Sequence, residues 1–148
     1  MDELFTIGHN KKGLRDFVGR LRKAEVDCVV DVRLHNTSQL AGFAKKDDLE
    51  FLLTEGFGIK YFHMPDYAPT EEILSAYKKG GDWAAYEEQY GELMVERWMP
   101  YVLVRTIEQS KWAKPCLLCA EDKPDHCHRR LLAEAIQDQI PGLEVTHL

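Results

Sequence analysis

Short β-rich runs alternate with helical runs along this chain, and this alternation restricts the fold more than any other feature of the sequence. The runs that predict strands occupy residues 4–8, 27–33, 59–64, 116–120 and 143–148. Most of them are separated by segments whose apolar residues recur at the helical spacing. Alternation of this kind predicts a mostly parallel sheet of about five strands with helices on both faces. We therefore expect a three-layer, Rossmann-like α/β fold in a single domain spanning residues 1–148.

Residues that favour helix ends mark the boundaries between these runs. Asn10 is the predicted N-cap of the first helix, and Asp125 is the predicted N-cap of the last one. Thr70 and Asp82 are the predicted caps of two helices in the middle of the chain, and Pro100 is expected to end or interrupt the second of these. The aromatic stripe of that second helix indicates core packing in preference to the lining of a pocket.

Composition and charge narrow the range of functions. Hydrophobic residues make up 45% of the chain and charged residues 30%, which is typical of a globular protein. The net charge of −6 does not indicate a general attraction to nucleic acid or to an anionic membrane. No apolar run is long enough to span a membrane and the first residues lack a signal sequence, so we expect the cytoplasm. In that reducing compartment, four cysteines are expected to be thiols, metal ligands or redox groups.

Polar and reactive residues follow three of the predicted strands. Ligands of parallel α/β sheets bind beyond the carboxyl ends of the strands, so residues at those ends are the first candidates for a site. These residues are Gly8, His9 and Asn10 after the first strand, Asp31 and Arg33 at the end of the second, and Glu121, Cys127, His128 and Arg129 after the fourth. If the sheet is parallel, they all lie along one rim.

The stretch CLLCAEDKPDHCHRR contains three of the four cysteines. Residues three apart on a strand face opposite sides, which places Cys116 in the core and Cys119 at the rim. A capped helix start would put Cys127 in the first turn, where free backbone N–H groups stabilise a thiolate. Cys127 is therefore the predicted nucleophile or redox thiol, with Cys119 as its partner. Glu121 and His9 are the predicted acid/base groups.

An anion site at the same rim is a second expectation, because a helix N-terminus and arginine side chains favour negative charge. The predicted binding residues are Gly8, Asn10, Asp31, Arg33, His128 and Arg129. The ligand would be an anionic small molecule or a nucleotide, although neither a GxGxxG motif nor a P-loop is present. Structural ion pairs, such as Asp31 with Arg33, are the competing interpretation.

Two other functions use the same residues. One is a binding module for a nucleotide or nucleic acid without catalysis. The other is a metal site formed by Cys119, Cys127 and His128. Loss of activity on replacing Cys127 by Ser would distinguish an enzyme from a binding module, and metal analysis would identify the third case.

Several stretches of the chain resemble a known family. They are TIGHN, DVR, NTSQLAGFAKKDDL, APTEEILSAYKKGGDW and LCAEDKPDHCHRRLLAE. Together they resemble the bacterial and archaeal family called domain of unknown function 488, and the likeness covers nearly the whole chain. The resemblance implies the α/β fold and the importance of the rim residues, and it supplies no reaction. Enzyme and binding module therefore both stay open, and no cofactor or oligomeric state is implied.

Overall fold

The computed structural model describes all 148 residues and contains one five-stranded, entirely parallel β-sheet. The strands are β1 (Glu3–Gly8), β2 (Cys28–Asp31), β3 (Lys60–His63), β4 (Pro115–Cys119) and β5 (Glu144–His147). Their order across the sheet is β3-β2-β4-β1-β5, and every neighbouring pair is parallel. The predicted parallel sheet of about five strands is confirmed.

Six α-helices accompany the sheet. They are α1 (Leu14–Lys23), α2 (Lys46–Phe51), α3 (Glu71–Lys78), α4 (Trp83–Glu96), α5 (Met99–Ser110) and α6 (His128–Gln137). The end of α2 widens into a π-type turn over Leu52–Gly56, and short 3₁₀ segments occupy Gln39–Ala44 and Pro65–Tyr67. None of the helices is long and apolar enough to cross a membrane.

The helices cover both faces of the sheet, as the strand pattern predicts. Successive strand residues point to opposite faces, so the sheet carries two apolar layers. On one face, α1 and α2 contribute Phe17 and Leu49, which belong to the same buried cluster as Ile7. On the other face, α4, α5 and α6 pack over Val30 and Leu117. The chain therefore adopts the three-layer, Rossmann-like arrangement expected from its sequence.

Two of the predicted helix caps are confirmed. The Thr70 hydroxyl accepts a hydrogen bond from the N–H of Ile73, and the Asp82 carboxylate accepts one from the N–H of Ala85. Pro100 lies in the first turn of α5, where its missing N–H costs nothing.

The other two predicted caps are wrong, because hydrogen bonds hold both segments as turns. The N–H of Asn10 donates to the carbonyl oxygen of Ala120, and α1 begins later, with Gly13 as its N-cap. Asp125 also lies in a turn, and the N-cap of α6 is Cys127 itself. Each of these helices therefore begins two or three residues later than its expected cap implies.

Candidate functional site

A cavity of about 270 Å³ opens at the carboxyl edge of the sheet. The ends of β1, β2 and β4 meet there with the N-terminus of α6, as the parallel topology requires. Residues from all four elements or from the loops that follow them line it. Those that carry its chemistry are His9, Arg33, Cys119, His126, Cys127 and His128.

Cys119 and His128 form a thiol–imidazole pair on the wall of this cavity. The sulfur of Cys119 lies 3.6 Å from Nδ1 of His128. Nε2 of the same ring lies 3.9 Å from this sulfur and 2.7 Å from the backbone carbonyl oxygen of Val32. A carbonyl oxygen can only accept, so Nε2 carries the hydrogen and Nδ1 is left to exchange a proton with the sulfur. A thiol, an imidazole and a carbonyl that orients the imidazole are therefore in contact, and contacts of this kind can activate a cysteine.

Cys127 completes a cluster of three. One ligand atom from each of Cys119, Cys127 and His128 lies within 4.8 Å of the others, and all three residues are buried. A hydrogen bond from the Cys127 thiol lowers the pKa of Cys119, and the Ala120 N–H and the charge of Arg129 act in the same direction. That hydrogen bond and burial raise the pKa of Cys127. Of the two thiols, Cys119 therefore has the lower pKa.

Arg33 is held by Asp31 and still has one nitrogen available to a ligand. Asp31 accepts hydrogen bonds from Nε of Arg33 at 2.8 Å and from Nη2 at 2.7 Å. Asn36 and Tyr61 also donate to this carboxylate. Burial works against ionisation of Asp31, but the hydrogen bonds and the charge of Arg33 outweigh it and hold its pKa below the ordinary value. Asp31 and Arg33 therefore form the structural ion pair that was the competing interpretation of these two residues.

The free nitrogen of that guanidinium is Nη1. The Arg33 side chain is only 4% exposed, and Nη1 has no hydrogen-bond partner in the protein. No buried side-chain nitrogen or oxygen lacks a partner, so Nη1 must be in contact with solvent, and the cavity lined by Arg33 supplies it. A fixed, nearly buried donor of this kind is suited to an anion.

Three further histidines, His9, His35 and His126, line the cavity. Burial lowers the pKa of His9 from 6.5 to about 4, and the charge of Arg33 acts in the same direction, so the His9 imidazole is neutral near pH 7. The ring of His126, which lines the cavity, stacks on Trp83 with ring centroids 4.9 Å apart. The neutral imidazole of His9 can accept a proton or donate a hydrogen bond at the edge of the cavity.

Arg129, a predicted anion-binding residue, makes its hydrogen bonds within the protein and does not line the cavity. It is fully buried, and its guanidinium donates to the hydroxyl of Thr6 and to the carbonyl oxygens of Glu121 and Asp122. Its role is to hold the loop between β4 and α6 against the end of β1. This loop leads to Cys127 and His128.

Three other predicted residues lie at the margin of the site or outside it. A Cβ added at Gly8 would come within 1.6 Å of the Glu121 carbonyl oxygen, so the close approach that Gly8 permits is made by the protein's own loop. Asn10 is exposed in the turn after β1 and does not line the cavity. Glu121 lines the cavity edge, and its side chain is exposed.

Sequence reasoning missed several groups that shape the site. The Val32 carbonyl is a backbone atom, so no residue type indicates its role. Tyr61 and Asn36 reach Asp31 across 30 and 5 residues of sequence, which no local pattern shows. Trp83 was part of the predicted aromatic stripe, but the stacking of His126 on it depends on the tertiary fold.

Cys119, Cys127 and His128 are also the residues that could hold a metal ion. Two thiolates and one imidazole nitrogen are a donor set suited to Zn²⁺, with a fourth position open to the cavity. The hydrogen bond from His128 to a backbone carbonyl is also common for a metal-bound histidine.

Comparison with known proteins gave one match. A family model described as "Domain of unknown function DUF488" matches residues 13–136, a range that contains Arg33, Cys119, Cys127 and His128. No curated protein and no solved structure matches the chain.

Proposed function

The chain belongs to the family described as Domain of unknown function DUF488, and we propose that its carboxyl-edge cavity is the active site of a thiol-dependent enzyme. Cys119 is the nucleophile and His128 is the acid/base group. A small anionic molecule is the substrate. The observation that carries this proposal is the chain of contacts from the Cys119 sulfur through His128 to the Val32 carbonyl, with distances of 3.6 and 2.7 Å.

Each member of that chain has a distinct task. The Val32 carbonyl holds His128 in the tautomer with hydrogen on Nε2. Nδ1 then takes the proton of Cys119 and returns it to the leaving group, which contributes roughly 10²–10⁴-fold in comparable systems. Cys119 takes over the nucleophilic role that the sequence suggested for Cys127, because its sulfur lies 3.6 Å from Nδ1 of His128 and its pKa is lowered whereas that of Cys127 is raised.

Arg33 is the reason for proposing an anionic substrate. Two of its nitrogens are bound by Asp31, so the guanidinium cannot turn, and Nη1 is presented to the cavity in a fixed position. One hydrogen bond to a charged partner contributes about 1.5–3 kcal/mol. This corresponds to roughly tenfold to hundredfold in affinity.

The size of the cavity favours a small substrate over a nucleotide. Its volume of about 270 Å³ lies at or below the lower end of the usual range for ligand pockets. We also propose that the protein is located in the cytoplasm, because a catalytic thiol needs a reducing compartment.

Alkylation by iodoacetate and iodoacetamide tests this proposal, because the two reagents differ mainly in charge. Peptide mapping should show Cys119 modified first, and the ratio of the iodoacetate rate to the iodoacetamide rate should exceed the ratio for a free thiol. Cys119→Ser should abolish the fast reaction. Arg33→Lys should lower the ratio severalfold, because a single ammonium stays with Asp31 and no second nitrogen faces the cavity.

Two outcomes would count against the proposal. If iodoacetamide is preferred at Cys119 to the same degree as at a free thiol, the anion site is refuted. If Cys119 is modified no faster than the core cysteine Cys116, the activated thiol is refuted as well.

A metal centre is the second candidate, and it is favoured by the clustering of two sulfurs and one imidazole nitrogen within 4.8 Å. The test is elemental analysis of protein purified without chelator. One zinc per chain that is lost in Cys119→Ser and His128→Gln would support the metal centre. A metal content below about a tenth of an equivalent per chain, which is a level typical of adventitious binding, would favour the free thiol.

A further inference from the structure

We propose that Cys127 is the resolving thiol of Cys119, and that the cavity carries out thiol–disulfide exchange on a small disulfide bearing a carboxylate. This inference rests on the proposed function, because it begins with attack by Cys119. It adds the class of reaction and the class of substrate.

The two sulfurs are placed to form a bond. They lie within 4.8 Å of each other on the same cavity, and they come from different elements, the end of β4 and the N-cap of α6. The Cys127 side chain makes no capping hydrogen bond, so rotation about its Cα–Cβ bond breaks no hydrogen bond to the backbone of the helix. A disulfide requires the sulfurs to approach to about 2.05 Å. The turns between residues 120 and 127 can supply the remaining movement.

The other two cysteines cannot take part. Cys28 and Cys116 are fully buried, belong to the two apolar layers of the core, and do not line the cavity. Only Cys119 and Cys127 can therefore meet both a substrate and each other.

The reaction balances with a disulfide RSSR as the oxidant. His128 Nδ1 takes the proton of Cys119, and the thiolate attacks one substrate sulfur. A Cys119–S–S–R bond forms, the substrate S–S bond breaks, and the leaving RS⁻ takes the proton from His128. Cys127 then gives its proton to His128 and attacks the Cys119 sulfur, which releases the second RSH. The net change is two protein thiols oxidised to one disulfide and RSSR reduced to two RSH. A cellular thiol such as a small dithiol reductant regenerates the protein.

Arg33 determines the substrate class in this reaction. Its free nitrogen lies on the same cavity as both sulfurs, so a carboxylate bound there would hold an attached disulfide beside Cys119. His9 is neutral, and the cavity lining holds one further cation, Lys78, and one carboxylate, Glu121, whose formal charges cancel. The remaining charge of Arg33 matches a singly charged carboxylate better than a phosphate dianion.

Titration with 5,5′-dithiobis(2-nitrobenzoate), a disulfide with two carboxylates, tests the inference. Under native conditions the wild-type protein should release two thionitrobenzoate anions in two phases. Its intact mass should fall by about 2 Da, and peptide mapping should give a Cys119–Cys127 disulfide. Cys127→Ser should release one anion and keep the reagent on Cys119. The core variant Cys116→Ser is the matched control and should behave as wild type.

The outcomes separate this inference from the proposed function. A wild-type protein that keeps the mixed disulfide on Cys119 overturns the resolving role of Cys127, and the activated Cys119 stands. A protein whose Cys119 does not react at all overturns both. The result on wild-type protein decides the matter even if Cys127→Ser fails to fold. Arg33→Lys should slow the first phase with this reagent severalfold more than it slows the reaction with the uncharged 2,2′-dithiodipyridine, and equal slowing of both would refute carboxylate recognition.

Discussion

Replacing Asp31 by Asn removes the negative charge that balances a nearly buried guanidinium, and we expect a large loss of stability. Asp31 is fully buried, and it accepts two side-chain hydrogen bonds from Arg33 together with one each from Asn36 and Tyr61. Breaking a buried pair by removing one partner costs about 3–5 kcal/mol, because the remaining charge stays buried. For a chain of this length, this corresponds to a fall in Tm of about 6–20 °C.

Urea unfolding monitored by circular dichroism measures this effect. Asp16→Asn is the matched control, because Asp16 pairs with Arg20 on the exposed surface of α1 and should cost about 0.3–0.5 kcal/mol. The double replacement Asp31→Leu with Arg33→Leu should be less destabilising than Asp31→Asn alone, since it leaves no unpaired charge. A loss below about 1 kcal/mol in Asp31→Asn, or a double variant that is worse than the single one, would refute the reasoning.

The sequence was sufficient for the sheet and for part of the site. Strand parity correctly placed Cys116 in the core and Cys119 at the rim, because side-chain direction along a strand follows from a period of two. The parallel sheet followed from the alternation of strands and helices, and it brought the predicted strand ends together.

Features set by distant contacts could not be predicted. Asn10 and Asp125 are good capping residues, but the fold holds both of them in turns, so α1 and α6 begin elsewhere. The position of α6 then makes Cys127 the N-cap, and its side chain makes no capping hydrogen bond with the free backbone N–H groups that were expected to stabilise a thiolate. The tautomer of His128 depends on the Val32 carbonyl, a backbone atom 96 residues away.

Two further predictions concern stability. Gly8→Ala should lower the free energy of unfolding in urea by about 2–4 kcal/mol, because the added methyl group overlaps the backbone of Glu121. The control Gly19→Ala, in the open middle of α1, should be neutral or stabilising. Equal effects of the two replacements would contradict the predicted overlap. The free energy of unfolding should fall as the pH drops from about 6.5 towards 4, since the unfolded chain then binds a proton that the folded His9 does not. His9→Gln should reduce this loss of stability by roughly 1 kcal/mol over the interval. An unchanged loss would show that His9 is not held neutral.

The activation of Cys119 by His128 is tested most directly by the rate of Cys119 alkylation in His128→Gln. The glutamine amide can still donate to the Val32 carbonyl, but it lacks the nitrogen that faces the sulfur. With iodoacetamide at pH 7 and peptide mapping, we expect Cys119 to be the first of the four cysteines to react in the wild type, and to react at least about tenfold more slowly in His128→Gln. Equal rates in the two proteins, or modification of Cys127 before Cys119, would contradict a thiolate held on Cys119 by His128.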